Sequence, residues 1–310
     1  MINPILASSA RRRMRSIRTP ILITLYGAMI FAAGLGMAFG AFASSTLSIF
    51  AMREGVTAYA AMLVIQFAMI LLITPAMTAG SIAGERERQT LDMLLVTNTG
   101  SLRIVAGKLL ESLGYVALLL VAALPTMCLT LITGGVTLAD VLTGALFLLV
   151  TAFAALSVGV FASAVFRRTV TATVMAYLLV FLIGVVTLLP MVLGVSYIGS
   201  HYDMYASTMA SSVAVIGGTD AAASGLSVNA FIYSPAMGLM ALIADQTGLL
   251  KSTLMNYSYT MYRIYDYLDF SAIKWENMAF MAGAGLLLDL LAACFVRPRE
   301  ARLRRRSAKK

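Results

Sequence analysis

The residues best suited to specific chemistry lie in one charged stretch, Gly84-Glu85-Arg86-Glu87-Arg88-Gln89-Thr90-Leu91-Asp92-Met93-Leu94-Leu95. Alternating carboxylates and guanidiniums suit the water boundary of a helix, with Glu85 and Glu87 near its positive N-terminus. Leu91, Leu94 and Leu95 recur at i, i+3, i+4 spacing and predict an apolar face on the same helix. Two roles satisfy this pattern. The helix can rest on lipid at the interface, or its apolar face can fit a groove on a cytosolic partner.

Other constellations fall short of catalysis. A phosphate-cradling loop needs Gly, four residues, Gly-Lys and then Ser or Thr. Around Gly107-Lys108 the chain has Leu102 at the first glycine position and Leu109 at the hydroxyl position, so it supplies no ATP-binding loop and no cofactor is expected on it. His201 is the single histidine, which removes any zinc pair built from two imidazoles. Cys128 and Cys294 sit in long apolar runs and read as small packing residues, with neither a disulfide nor a metal site expected. Two carboxylates interrupt apolar runs, where a charge at the bilayer centre costs about 2.5–3.5 kcal/mol. Glu111 follows Lys108 by three residues, which predicts a local ion pair near the interface. Asp289 has no such neighbour and reads as a buried contact between helices or a group lining a cavity.

The elements that must hold these residues are set by composition. Of 310 residues, 60% are hydrophobic and 12% charged, with a formal charge of +9. Soluble domains run about 45–50% apolar and about 25% charged, so the chain is an integral all-α membrane protein forming one transmembrane domain over 1–310. Residues 1–20 alternate Arg11, Arg12, Arg13, Arg15 and Arg18 with Leu6, Ala10, Met14 and Ile17, the signature of an amphipathic helix lying in the interface. Six spans are then expected at about 21–42, 59–82, 109–133, 141–166, 170–193 and 277–296. Ala41-Phe42-Ala43 resembles a cleavage site, but the run before it exceeds the roughly 7–15 apolar residues of a signal peptide. Between the fifth and sixth spans lies a segment over 195–275. Its most apolar stretch, 228–244, contains Pro235 and reads as a pair of short helices on or dipping into the outer leaflet. Tyr257, Tyr259, Tyr262, Tyr265, Tyr267, Phe270 and Trp275 follow, an aromatic belt by composition. Gly36/Gly40 and Gly80/Gly84 form GxxxG pairs, expected to pack helices within the subunit.

Charge fixes the expected topology, because Lys and Arg concentrate in cytoplasmic loops. With six spans and both termini inside the cell, 19 of the 23 Lys and Arg residues fall on the cytoplasmic side. They occupy the N-terminal helix, the 84–108 loop, the Arg167-Arg168 hairpin and the basic tail at 297–310. A seventh span would carry that tail outside. The anionic inner leaflet accounts for the basic balance, so no nucleic-acid partner is expected.

The charged stretch also resembles a family. Glu-Arg-Glu, a variable residue, Gly-Thr-Leu-Glu, a variable residue, Leu-Leu, a variable residue and Thr-Pro, after the second of six spans, is the pattern of permease subunits of type 2 ATP-binding-cassette exporters. The chain matches at Glu85, Arg86, Glu87, Thr90, Leu91, Leu94, Leu95 and Thr97, and departs with Gln89 for Gly, Asp92 for Glu and Asn98 for Pro. Gly107-Lys108-Leu109, the basic N-terminal helix, the Arg167-Arg168 hairpin and Ser234-Pro235 are similar as well. The resemblance implies a half-transporter of the cell membrane that pairs with a second permease, the same or a related chain. Each permease would sit on a separate ATPase that binds ATP and magnesium. It assigns the coupling role to Glu85, Arg86, Glu87, Thr90, Leu91, Asp92, Leu94 and Leu95, in a short cytoplasmic coupling helix. Two other readings remain open from the residues: a membrane scaffold coupled to an ATPase without transport, and a secondary transporter. The latter would carry more intramembrane charges and a two-fold repeat.

Overall fold

The computed structural model describes residues 18–43, 49–89, 101–133, 135–186, 234–248 and 270–296, and every regular element among them is helical. In chain order these are α1 (Arg18–Ala43), α2 (Ile49–Thr78), α3 (Ala83–Glu87), α4 (Ser101–Thr133), α5 (Leu138–Val165), α6 (Thr169–Phe181), α7 (Pro235–Thr247) and α8 (Phe270–Val296). The last turns after α6 widen into a π-helix over Leu182–Val186. Among the described residues four runs are long and apolar enough to cross a membrane: Gly55–Glu87, Ser101–Leu131, Leu138–Val165 and Phe270–Val296. Two shorter apolar stretches, Ile23–Gly36 and Thr169–Gly184, accompany them. The interfacial-helix residues Arg11, Arg12, Arg13 and Arg15 lie outside the described residues, and Arg18 opens α1.

α5 is the centre of the bundle, with 61% of its most apolar window buried against 33–44% in the other three long runs. It packs on α2, α4, α6 and α8, and α1 leans on α2 and α4 at the periphery. Val141, Phe147, Leu148 and Leu156 of α5 meet Tyr59 and Leu63 of α2, Val116 and Leu120 of α4, and Met281 of α8 in one core. Large apolar side chains such as Val170, Val174, Leu178 and Phe181 of α6 stay exposed, as lipid-facing surface requires.

Local chemistry sets the ends of α5. Thr137 and Asp140 form a reciprocal capping box at its start, following a left-handed Gly135 (φ 85°). At its other end Phe166 and Arg168 are extended, which turns the chain directly into α6. The helices extend beyond the expected spans: α2 begins at Ile49, α4 at Ser101 and α8 at Phe270. Hydropathy marks only the lipid-crossing part of a helix, whereas backbone hydrogen bonding carries it on into the polar flanks.

Of the 228–244 stretch, expected as a pair of short helices, residues 228–233 lie outside the described residues. Its described part is one helix, α7, and Pro235 occupies its first turn, where a missing N–H costs nothing. Ser234 caps it by accepting from the N–H of Met237 at 3.1 Å, and Gly248 ends it with φ 60°. At 13 residues, α7 spans roughly 20 Å, too short to cross. It runs alongside the first turns of α8, with Asn277 Nδ2 donating to Ser234 O at 2.9 Å and Asp245 paired with Lys274. The end of the bundle that carries α3 is termed the elbow end, and the opposite end, holding α7, the far end.

Candidate functional site

The charged stretch begins where α2 stops. Pro75 removes a backbone donor near the end of α2, and after a turn over 79–82 the chain resumes as the five-residue α3. The Gly55–Glu87 run has 33 residues, more than the roughly 20 that cross a hydrocarbon core of about 30 Å.

A five-residue helix has no stability of its own, and neighbouring helices supply it. Its N-cap position, Ile82, provides no side-chain cap. Ser163 of α5 does so instead, its Oγ accepting from the N–H groups of Ile82 at 2.9 Å and Ala83 at 2.8 Å. Immediately before the elbow, Gly159 of α5 faces Thr78 of α2 so closely that a Cβ there would overlap the Thr78 hydroxyl.

Three consecutive side chains of α3 then reach three different helices. Glu85 Oε1 pairs with Lys108 Nζ of α4 at 2.7 Å. Arg86 Nη1 donates to the Ala164 carbonyl at 3.1 Å and lies 3.5 Å from the Phe166 carbonyl, at the C-terminus of α5. Glu87 Oε2 accepts from the Thr169 hydroxyl at 2.8 Å and from its N–H at 3.3 Å, at the N-terminus of α6. A cation therefore meets the negative end of α5 and an anion the positive end of α6, each complementing a helix dipole and satisfying terminal backbone groups. The Thr169 hydroxyl and N–H, with Arg168 and Arg88 nearby, hold the Glu87 carboxyl below the usual carboxylate range.

The expected helix running from Glu85 into Leu91 is interrupted. α3 ends at Glu87, Arg88 follows in a turn, and Gln89 takes a left-handed conformation with φ 58°. This is the position where the family pattern has glycine, the residue that adopts such a φ most readily. Arg88 and Gln89 are exposed. Thr90, Leu91, Asp92, Leu94 and Leu95 lie outside the described residues.

Lys108, which spacing predicted to pair with Glu111, reaches Glu85 across the helix interface. Glu111 is half-buried on α4. Asp289 is buried between α8 and α5, where Ser157 Oγ lies 3.1 Å from its Oδ2. Cys128 is half-buried and Cys294 exposed on an apolar helix, both free thiols. Among the described residues no group of His, Cys, Asp and Glu could hold a metal ion. Of the GxxxG glycines, Gly36 and Gly80 face open space, a Cβ on Gly84 would stand 3.4 Å from Thr169 Cγ2 of α6, and the surroundings of Gly40 lie outside the description; Gly34, Gly144, Gly159, Gly238 and Gly285 lie at closer contacts. Sequence reasoning missed Ser163 and Thr169. The one available signal was the position of Thr169 just after the Arg167-Arg168 hairpin.

The far end is joined differently. Tyr59 OH of α2 lies 2.8 Å from the Asp140 carbonyl and 3.0 Å from Gln246 Oε1. Gln246 Nε2 of α7 donates to the same carbonyl at 3.0 Å and to Thr143 Oγ1 at 2.6 Å. Gly238 of α7 lies against Asn277 and Phe147 with no space for a side chain.

An apolar helical bundle of this kind is the architecture of a multi-pass membrane protein. A family model described as ABC-2 family transporter protein matches residues 67–297, from the middle of α2 to the end of α8, and the chain belongs to that family. No curated protein matches the chain at a significant level. Membership makes this chain a transmembrane component of a type 2 ATP-binding-cassette transporter.

Proposed function

We propose that the chain is the translocating half of an exporter that works as a dimer of permeases on separate ATPase subunits, with ATP and magnesium bound by the ATPases. Six spans cross the cell membrane with both termini in the cytoplasm, the elbow end facing inward. α1, at 26 residues, is roughly 39 Å long and sufficient to cross. α6 and its π-turn continue in sequence into the apolar residues 187–193. The loop over 84–108 seats on the ATPase, Leu91, Leu94 and Leu95 filling its groove with Thr90 and Asp92 at the rim, and transmits nucleotide-driven motion.

One observation supports this reading above the others: Glu85, Arg86 and Glu87 are each attached to a different helix, α4, α5 and α6. A displacement of the loop that follows them would move three helices together. Lipid resting alone gives no reason for that arrangement. The glutamates and arginine thus hold the elbow within the permease, while the ATPase contact begins at Arg88 and Gln89 and continues along the loop.

The test is gentle extraction of the native protein, identification of what co-purifies, and measurement of vanadate-sensitive ATP hydrolysis. An ATPase that co-purifies with the wild type and is lost with Leu91→Asp supports the exporter. A preparation without ATPase, or one whose ATPase is retained with Leu91→Asp, overturns the coupling assignment. ATP hydrolysis without movement of any substrate would favour the scaffold.

A further inference from the structure

Asp289 is used by nothing in the elbow mechanism. It lies seven residues before the end of α8, roughly 10 Å inside the helix, and Ser157 lies at a matching depth in α5. Asp289 is 9% exposed. The two helices are pressed together here: a Cβ on Gly285 would stand 2.7 Å from the Phe153 ring and 3.3 Å from Ser157 Oγ. One turn towards the elbow, Phe161 and Phe295 close the seam edge to face, with centroids 6.1 Å apart.

Hydrogen counting then becomes decisive. Ser157 has one hydroxyl hydrogen, and its oxygen lies 2.9 Å from the Phe153 carbonyl and 3.1 Å from Asp289 Oδ2. If the hydroxyl donates to Phe153, the contact with Asp289 needs a hydrogen from the carboxyl group. If the hydroxyl turns to Asp289 instead, a full carboxylate is left with a single donor, in a span where charge is expensive. Asp289 Oδ1 is buried with no hydrogen-bond partner among the described residues.

Among the described residues no cation is placed to offset such a charge. The main neighbours of α8 are α4, α5 and α7. Their ionisable groups are Arg103, Lys108, Glu111, Tyr115 and Cys128 on α4, Asp140 on α5 and Asp245 on α7. On α8 itself they are Lys274, Glu276 and Cys294. Lys108 is committed to Glu85, Lys274 to Asp245, and Asp140 to the far-end cap of α5. Among the described residues Asp289 has the Ser157 hydroxyl as its partner.

We propose that Asp289 and Ser157 form a proton-binding site in the seam between α5 and α8, with the carboxyl group holding a hydrogen and donating it to the Ser157 oxygen. A motion that parts these helices and admits water lets the O–H bond of the acid break, leaving carboxylate and passing the proton to water. Closure reverses the step. Parting of the seam and proton release are therefore linked, each favouring the other.

The experiment is infrared spectroscopy of the full chain in lipid nanodiscs at neutral pH. A protonated-carboxyl C=O stretch is expected that disappears in Asp289→Asn and moves to higher frequency in Ser157→Ala, where the acid loses its acceptor. Absence of the band in the wild type, or its persistence in Asp289→Asn, overturns the proposal. Should Asp289→Asn not fold, Ser157→Ala decides: a shifted band supports the site and an unshifted one overturns it. The measurement requires no ATPase, so it stands or falls separately from the exporter reading.

Discussion

The two ends of the bundle are fastened by opposite means. At the elbow end, three adjacent side chains carrying formal charges bind a lysine, a helix C-terminus and a helix N-terminus. At the far end, neutral groups dominate: Tyr59, Gln246, Thr143 and a backbone carbonyl share hydrogen bonds around one short helix. Charge-assisted bonds are roughly twice as strong as neutral ones, and helix termini fix their direction. The elbow is thus built to move as a unit with the helices it holds. To release α7 the far end must exchange a few neutral hydrogen bonds and one ion pair, Asp245 with Lys274, for water.

The contrast can be broken most severely where the backbones meet. Gly159→Val would drive a side chain into Thr78 and separate α2 from α5 beside the elbow, at a cost of about 3 kcal/mol. Thermal unfolding in detergent and loss of stimulated ATP hydrolysis would both register it. Gly238→Val at the far end also collides, with Asn277 and Phe147, but is expected to loosen α7 and leave ATPase attachment intact.

Arg86→Ala leaves the C-terminal carbonyls of α5 without their guanidinium and is expected to cost about 2 kcal/mol, with Arg86→Lys restoring charge but only part of the stability. Glu87 provides a pH test. Its carboxyl is held low by Thr169, so its contribution is full at neutral pH and fades as pH falls through that lowered value. Stimulated ATP hydrolysis should therefore show an acid-side loss that is absent in Glu87→Gln, which is already weakened at neutral pH. Tyr59→Phe removes one far-end hydrogen bond, worth about 1 kcal/mol, and should raise hydrogen exchange in α7 while leaving ATP hydrolysis unchanged. The smallest effect has the opposite sign: Gln89→Gly relieves a left-handed glutamine and should stabilise the fold by up to about 1 kcal/mol, read as a raised unfolding midpoint.

The sequence makes the helices and the Glu85–Glu87 charge triplet legible, because long apolar runs and a charge cluster are local signals. Its partners are not local. Ser163, Ala164 and Thr169 lie 78–82 residues away from the groups they hold, and no periodicity connects them. The expected Lys108–Glu111 pair followed helical spacing, yet packing of α4 beside α3 offered Lys108 a partner in another helix. Membrane helices that are apolar on every face hide which face is buried. For that reason Gly36 and Gly80 drew attention by spacing, while Gly159, in contact with Thr78, was overlooked. Pro235 signalled a break and also a start, and Ser234 before it was the residue that settled which.

The left-handed residue that closes α3 also sets how load travels through the elbow. A short helix pulled or pushed at its end can ordinarily wind or unwind a turn and absorb the displacement. For α3 to lengthen, Gln89 would have to cross from φ 58° to the right-handed region. Contacts with Ser163, Lys108, Ala164 and Thr169 hold the segment in place before that point. Between the loop and the bundle, α3 behaves as a strut of fixed length and not as a spring.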